Sequence, residues 1–104
     1  MAKSRAYGET LKDALREPAD AAEYLNAALE ERDPAAFLLA LKDVADIHGG
    51  ISKLARDAHL NRESMYRMLS EKGNPRIDSL NEVLRALGLR LSVIPEDTKS
   101  ASAA

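Results

Sequence analysis

The stretch Ile51-Ser-Lys-Leu-Ala-Arg-Asp-Ala-His-Leu-Asn-Arg-Glu-Ser-Met-Tyr-Arg-Met-Leu69 decides the fold. Ile51, Leu54, Ala55 and Ala58 recur at helical spacing, His59 and Leu60 interrupt them, and Met65, Met68 and Leu69 resume the same period. Asn61 is a good N-cap for the second run, and Leu60 before it can staple onto Met65. Two short helices across so brief a turn fit the helix-turn-helix arrangement, whose second helix enters a DNA groove. Ala55 falls where the helices touch and only a small side chain is accommodated. Leu60 points inward from the turn, and Met65 packs back onto the first helix. Asn61, Arg62, Glu63, Tyr66, Arg67 and Ser70 are then left outward. Long donors, a carboxylate acceptor and a phenol are the side-chain chemistry that reads base edges. The bland alternative is a pair of plain bundle helices, which would more often carry Glu–Lys pairs there.

Working outward, Tyr7, Leu11 and Leu15 predict a short helix ending near Arg16. Pro18 then opens a helix whose apolar stripe is Ala22, Leu25, Ala28 and Leu29. Asp33 can cap the following helix, and Pro34 suits its first position. Phe37, Leu38, Leu41, Val44, Ala45 and His48 form its inner face, and Gly49-Gly50 stops it. The second helix of the central pair is expected to end near Glu71-Lys72-Gly73, with Gly73 in a left-handed turn. A last helix runs from Ile77 or Asp78 to Leu87, with Leu80, Val83, Leu84 and Leu87 inward and Gly88 closing it. Asp78 there suits the helix dipole. Leu89, Leu91 and Val93 alternate with Arg90 and Ser92, the period of a strand too short to form a sheet alone. Such a strand must pair with the same strand of a second subunit or with a partner's sheet edge. The expected fold is all-α, five to six helices including a helix-turn-helix, with a short C-terminal β-strand. Residues 1–33 form an N-terminal helical segment, 34–88 the helix-turn-helix domain, 89–95 the strand, and 96–104 a disordered tail.

Composition narrows the function. At 104 residues, 45% apolar and 31% charged, the chain has room for one modest core. No apolar run approaches the roughly 20 residues of a membrane span, and the N-terminus lacks an apolar signal core. The expected compartment is the cytoplasm. With no cysteine and two histidines, His48 and His59, there is no basis for a disulfide framework, a thiol nucleophile or a metal site. No Gly-rich phosphate loop or nucleophile–base pair is present, so neither catalysis nor a cofactor is expected. The charge is unevenly spread. Residues 1–33 carry five basic and eight acidic side chains, whereas residues 50–90 carry eight basic and five acidic ones. This reads either as two solvated surfaces or as a basic face for phosphate and an acidic face for a basic partner.

The residues from Ile51 to Leu69, with Glu71-Lys-Gly-Asn-Pro-Arg and Leu80-Asn-Glu-Val-Leu-Arg-Ala-Leu-Gly-Leu, resemble the lambda-repressor-like (Cro/XRE) helix-turn-helix domain. Glu23-Tyr-Leu-Asn-Ala-Ala-Leu-Glu-Glu-Arg-Asp-Pro, Phe37-Leu-Leu-Ala-Leu-Lys-Asp-Val-Ala and Gly73-Asn-Pro-Arg further resemble the HigA-like probable addiction module antidote proteins. That resemblance, over roughly residues 7 to 94, implies an antitoxin encoded beside a small basic RelE/ParE-like (HigB-like) toxin. It also implies a homodimer that represses the shared operon at an inverted-repeat operator. The recognition helix would run from Arg62 to Ser70. Two positions depart from the family pattern: His59 replaces a frequent turn Gly, and Ile51 replaces a frequent phosphate-holding Gln.

The candidate DNA contacts are therefore Ser52, Lys53, Arg56, Asn61, Arg62, Glu63, Tyr66, Arg67, Ser70 and Arg76, and the candidate dimer residues are Leu89, Leu91 and Val93. Ser52, Lys53, Arg56 and Arg76 suit phosphate positioning. Glu63 can accept from cytosine or form an i, i+4 pair with Arg67. The competing readings are a toxin-binding module with vestigial DNA binding and a phage-type repressor without a toxin.

Overall fold

A computed structural model describes residues 15–70 and 72–96. The described residues form five helices: α1 (Pro18–Leu29), α2 (Pro34–Ile47), α3 (Gly50–Asp57), α4 (Arg62–Met68) and α5 (Ile77–Ala86). The helix expected over residues 7–16 lies almost wholly outside the described residues, as does the tail from residue 97 on. No helix among the described residues is long and apolar enough to cross a membrane.

The helix boundaries follow local chemistry. Proline opens α1 and α2, where its missing amide has no partner to lose. Asp33 caps α2 by accepting from the Ala35 amide at 3.0 Å. Gly49 and Gly50 take φ 102° and 92°, which break α2 from α3 over two residues. At the end of α3 the Leu60 amide donates to Ala55 O at 2.8 Å and the His59 amide to Arg56 O at 3.2 Å. That is the Schellman pattern, with His59 as the left-handed residue at φ 58°. The same pattern closes α5: Leu89 donates to Leu84 O, Gly88 to Arg85 O, and Gly88 has φ 82°. His59 thus holds the left-handed position of this turn although it carries a β-carbon.

The elements pack in sequence. α1 lies on α2, α2 on α3, and α3 carries both α4 and α5. Leu41, Val44, Leu54, Met65 and Val83, from four helices, are the largest wholly enclosed side chains. Ala55 on α3 and Ala58 at its C-cap are buried, so α4 can approach closely. The large apolar residues predicted for the inner faces of α2 to α5 are buried, with Phe37, Leu60 and Leu80 half-buried against the core; Ala40 is buried as well, and His48, at the C-cap, is only half-buried.

Four details differ from expectation. On α1 the buried stripe is Ala21, Leu25 and Ala28, while Leu29 is 53% exposed. α1 packs chiefly on α2, which buries a narrow face. Second, α4 ends at Met68, so Ser70 lies beyond the helix. Third, Gly73 is not left-handed; a β-carbon on it would strike the Met68 carbonyl, so glycine is needed for close backbone approach. Its amide donates to Ser70 O at 2.8 Å. Fourth, residues 89–96 form no strand. A strand exists only in a ladder, and the single chain offers this segment no backbone partner. Leu89 packs on the core, and an Arg32 Nη2–Glu96 Oε2 ion pair of 2.6 Å ties the far end to the α1–α2 turn.

Candidate nucleic-acid interface

α4 is held from inside by Met65, Met68 and Leu69, all buried. Its start is fixed by Asn61, whose Oδ1 accepts from the amides of Glu63 (2.8 Å) and Ser64 (3.1 Å). Two of the orphan donors of the first turn are thereby satisfied. With one face pinned to α3, helical geometry sends Arg62, Glu63, Tyr66 and Arg67 to the surface, and all four are exposed. Tyr66 is 49% exposed, and the Arg62 guanidinium lies 5.6 Å from its ring centroid. That is the i, i+4 cation–π distance, and it joins the two side chains into one outward surface. Beside Tyr66, Leu39 of α2 (61% exposed), Ile51 and Leu69 line a shallow depression.

The expected residues do not all stand ready. Asn61 has spent its side-chain oxygen on the cap, leaving only its NH2 group for another partner. The Ser70 hydroxyl donates to Arg67 O at 2.8 Å, closing the end of α4. The Glu63–Arg67 pair does not form among the described residues; Arg62 over Tyr66 is the ordered i, i+4 contact instead. Glu63 sits in the first turn, where its charge suits the helix dipole.

The flanking cations are pre-paired. Lys53 Nζ lies 2.8 Å from Asp57 Oδ2 along α3, and this hydrogen bond holds the Asp57 carboxyl below the usual range. Arg76, the N-cap of α5, spans both Asp78 oxygens at 3.1 and 3.2 Å. Asp78 is held low mainly by that bond, and Arg76 is raised by it. Ser52 and Arg56 are exposed on α3. Asp57 and Asp78 were missed as site residues, although both were legible: one stands four residues after Lys53 on a helix, the other two after Arg76. Leu39 was missed because an outward leucine has no signature on a helix whose other leucines are buried. Among the described residues no group of acids and histidines could hold a metal ion. The exposed side of α4 is a cationic and aromatic ridge, and the candidate cations Lys53 of α3 and Arg76 before α5 are each already ion-paired, an arrangement suited to hydrogen bonding and charge pairing.

Comparison with known proteins gives this surface a setting. A protein of Haemophilus influenzae, described as uncharacterized, is 40% identical over 70 residues, covering 67% of this chain and 71% of its own. No solved structure matches. A model of the probable addiction module antidote proteins matches residues 9–95, from before α1 to the end of the C-terminal segment, and the chain belongs to that family of antitoxins.

Proposed function

We propose that this antitoxin is a sequence-specific DNA-binding protein of the lambda-repressor-like helix-turn-helix (HigA-like) class. It represses its own operon as a dimer and neutralises a small basic RelE/ParE-like (HigB-like) toxin by direct binding in the cytoplasm. The carrying observation is the exposed face of α4, where Arg62, Tyr66 and Arg67 project from a helix anchored by Met65 and Met68. Arg62 and Arg67 are the base or phosphate donors, Tyr66 contacts sugar, phosphate or a thymine methyl, and Glu63 accepts from cytosine. Arg56 and Ser52 hold phosphate directly. Lys53 and Arg76 do so by exchanging Asp57 and Asp78 for a phosphate oxygen. The chain itself performs no catalysis and needs no cofactor.

One protomer would read about 4–5 base pairs, too few contacts for discrimination in a genome. Two recognition helices about 34 Å apart on an inverted repeat solve this, and Leu89, Leu91 and Val93 are the residues for joining the copies. The toxin surface is the acidic N-terminal third. Glu17, Glu23, Glu30 and Glu31 are exposed there, and an RNA-cleaving toxin must itself be basic. The pre-paired state of Lys53 and Arg76 favours, as second reading, a toxin binder with weakened DNA contacts. The third reading is a phage-type repressor without a toxin; a basic protein encoded directly upstream would support the antitoxin reading over it, and its absence would favour the repressor.

A gel shift on the chain's own upstream region, with and without the adjacent gene product, tests the proposal. A retarded band with wild type, lost in Arg62→Ala/Arg67→Ala while toxin rescue persists, supports both activities. No band with wild type at micromolar concentration overturns the DNA-binding reading.

A further inference from the structure

The C-terminal segment leaves more apolar surface uncovered than any other part of the described chain. Val93 is 97% exposed and Ile94 78%, with Leu91 also open. Leu91 and Ile94 line a groove with Leu25, Leu29 and Phe37 of α1 and α2. None of the residues lining this groove belongs to α3 or α4, so it can be filled while the candidate DNA-reading face stays open. The segment's backbone hydrogen bonds beyond the Leu89 amide are unassigned among the described residues.

We infer that a second copy of this chain covers the segment, antiparallel about a two-fold axis at Val93, with Arg90 facing Glu96 of the partner subunit. The inference rests on the dimer reading above and adds its register. Two-fold symmetry requires a residue to face its own copy, because facing residues must share one type of pair in the ladder. Pro95 has no amide, so it must occupy a position whose N–H is not used by the partner strand. Leu91, Val93 and Pro95 then all fall in non-hydrogen-bonded positions. Arg90, Ser92, Ile94 and Glu96 carry the ladder bonds. This rule fixes which positions carry the ladder bonds but not the axis; Val93 and Ser92 are the axes that keep the pairing within residues 88–96 and centred on the segment. Charge chooses between them. About Val93, each Arg90 meets the partner's Glu96 and the two most exposed positions, Val93, meet each other. About Ser92, Arg90 meets the partner's Ile94 and both charges lose a counterpart. The present Arg32–Glu96 pair, with side chains 78% and 69% exposed, shows that Glu96 takes an arginine partner and holds it weakly enough to exchange. The mixed charge around the groove, Glu30, Arg32, Arg90 and Glu96, also suits a like copy better than a strongly basic partner.

The chain has no cysteine, so an introduced one reports its neighbour without background. Facing non-hydrogen-bonded residues bring their Cβ atoms to about 4.5–5.5 Å, close to disulfide reach. Under mild oxidation Val93→Cys is expected to give a disulfide-linked dimer, and Ser92→Cys to remain essentially uncrosslinked. Arg90→Glu should weaken dimerisation roughly tenfold or more in sedimentation velocity, because it places two like-charge pairs in the ladder. Arg90→Glu/Glu96→Arg should restore it to within about threefold. Efficient crosslinking through Ser92→Cys instead of Val93→Cys, or no rescue by the double exchange, overturns the register while leaving the dimer standing. A wild-type chain that sediments only as monomer at micromolar concentration overturns the dimer itself. A segment that pairs only when toxin is added does so too, and assigns the strand to the toxin.

Discussion

His59 sits at φ 58° in the turn between α3 and α4, where a β-carbon presses on the following carbonyl. Relief of that crowding outweighs the extra freedom that glycine gives the unfolded chain. His59→Gly is therefore expected to stabilise the fold by about 0.5–1 kcal/mol, raising Tm by roughly 3–6 °C in a thermal melt. Unchanged or lower stability would contradict the strained-turn account. Gly73 is the opposite case, because its need for glycine is steric and not conformational. Gly73→Ala should cost about 1–3 kcal/mol in urea unfolding, since the obstacle is the Met68 carbonyl and not a yielding side chain. Both glycine requirements look alike in sequence. A turn glycine announces a left-handed residue by composition alone, whereas close backbone approach depends on how the chain after α4 folds back. For that reason Gly88 was read correctly and Gly73 for the wrong reason. Asn61 was fully legible as a cap, because capping is decided within three residues.

At the scale of elements, α1 and α2 are joined by more than apolar contact. The Tyr24 hydroxyl donates to Asp43 Oδ2 at 2.8 Å across the pair. That bond, then burial and the carboxylate charge, raise the Tyr24 pKa above the ordinary tyrosine value. A raised pKa means that the folded chain holds the phenol proton more tightly than the unfolded chain does. The contribution is thus complete below the ordinary tyrosine value and is lost as pH climbs through the folded one. In an ultraviolet titration, Tyr24→Phe should remove a transition lying above the ordinary tyrosine value. The substitution should also cost about 0.5–1.5 kcal/mol at neutral pH. A Tyr24 that titrates at the ordinary tyrosine value would contradict the cross-helix bond. Periodicity revealed the buried faces of α2 to α5 but not this link, which joins residues nineteen apart on different helices. It also overstated α1 by including Leu29, because a helix packed mainly on one neighbour buries less than a full stripe. The C-terminal segment alternates as a strand would, but alternation alone makes no strand: beyond the Leu89 amide, residues 89–96 find no backbone partner among the described residues and form no ladder.

At the scale of the whole molecule, the proposed function divides the charge distribution: the cations near α4 for DNA, the acidic N-terminal third for the toxin. The chain is net acidic at −2, so it gains little general attraction to DNA, and affinity must come from the few cations around α4. With about six phosphate contacts per dimer, log K should fall with log salt at a slope near −5. A slope near zero would place the cations of residues 50–90 away from the duplex. Charge asymmetry was visible in the sequence, but the pairing of Lys53 with Asp57 and Arg76 with Asp78 depends on side-chain conformations that charge counts do not fix. The central claim is that the exposed side of α4 is the surface that meets DNA. Its most direct measurement is amide chemical-shift mapping on the full chain, titrated with a duplex from its own upstream region. The account predicts that the largest changes cluster at Asn61–Ser70, with a second group at Ser52–Arg56 and Arg76. Changes centred on α1 or residues 89–96, with α4 unmoved, would contradict it.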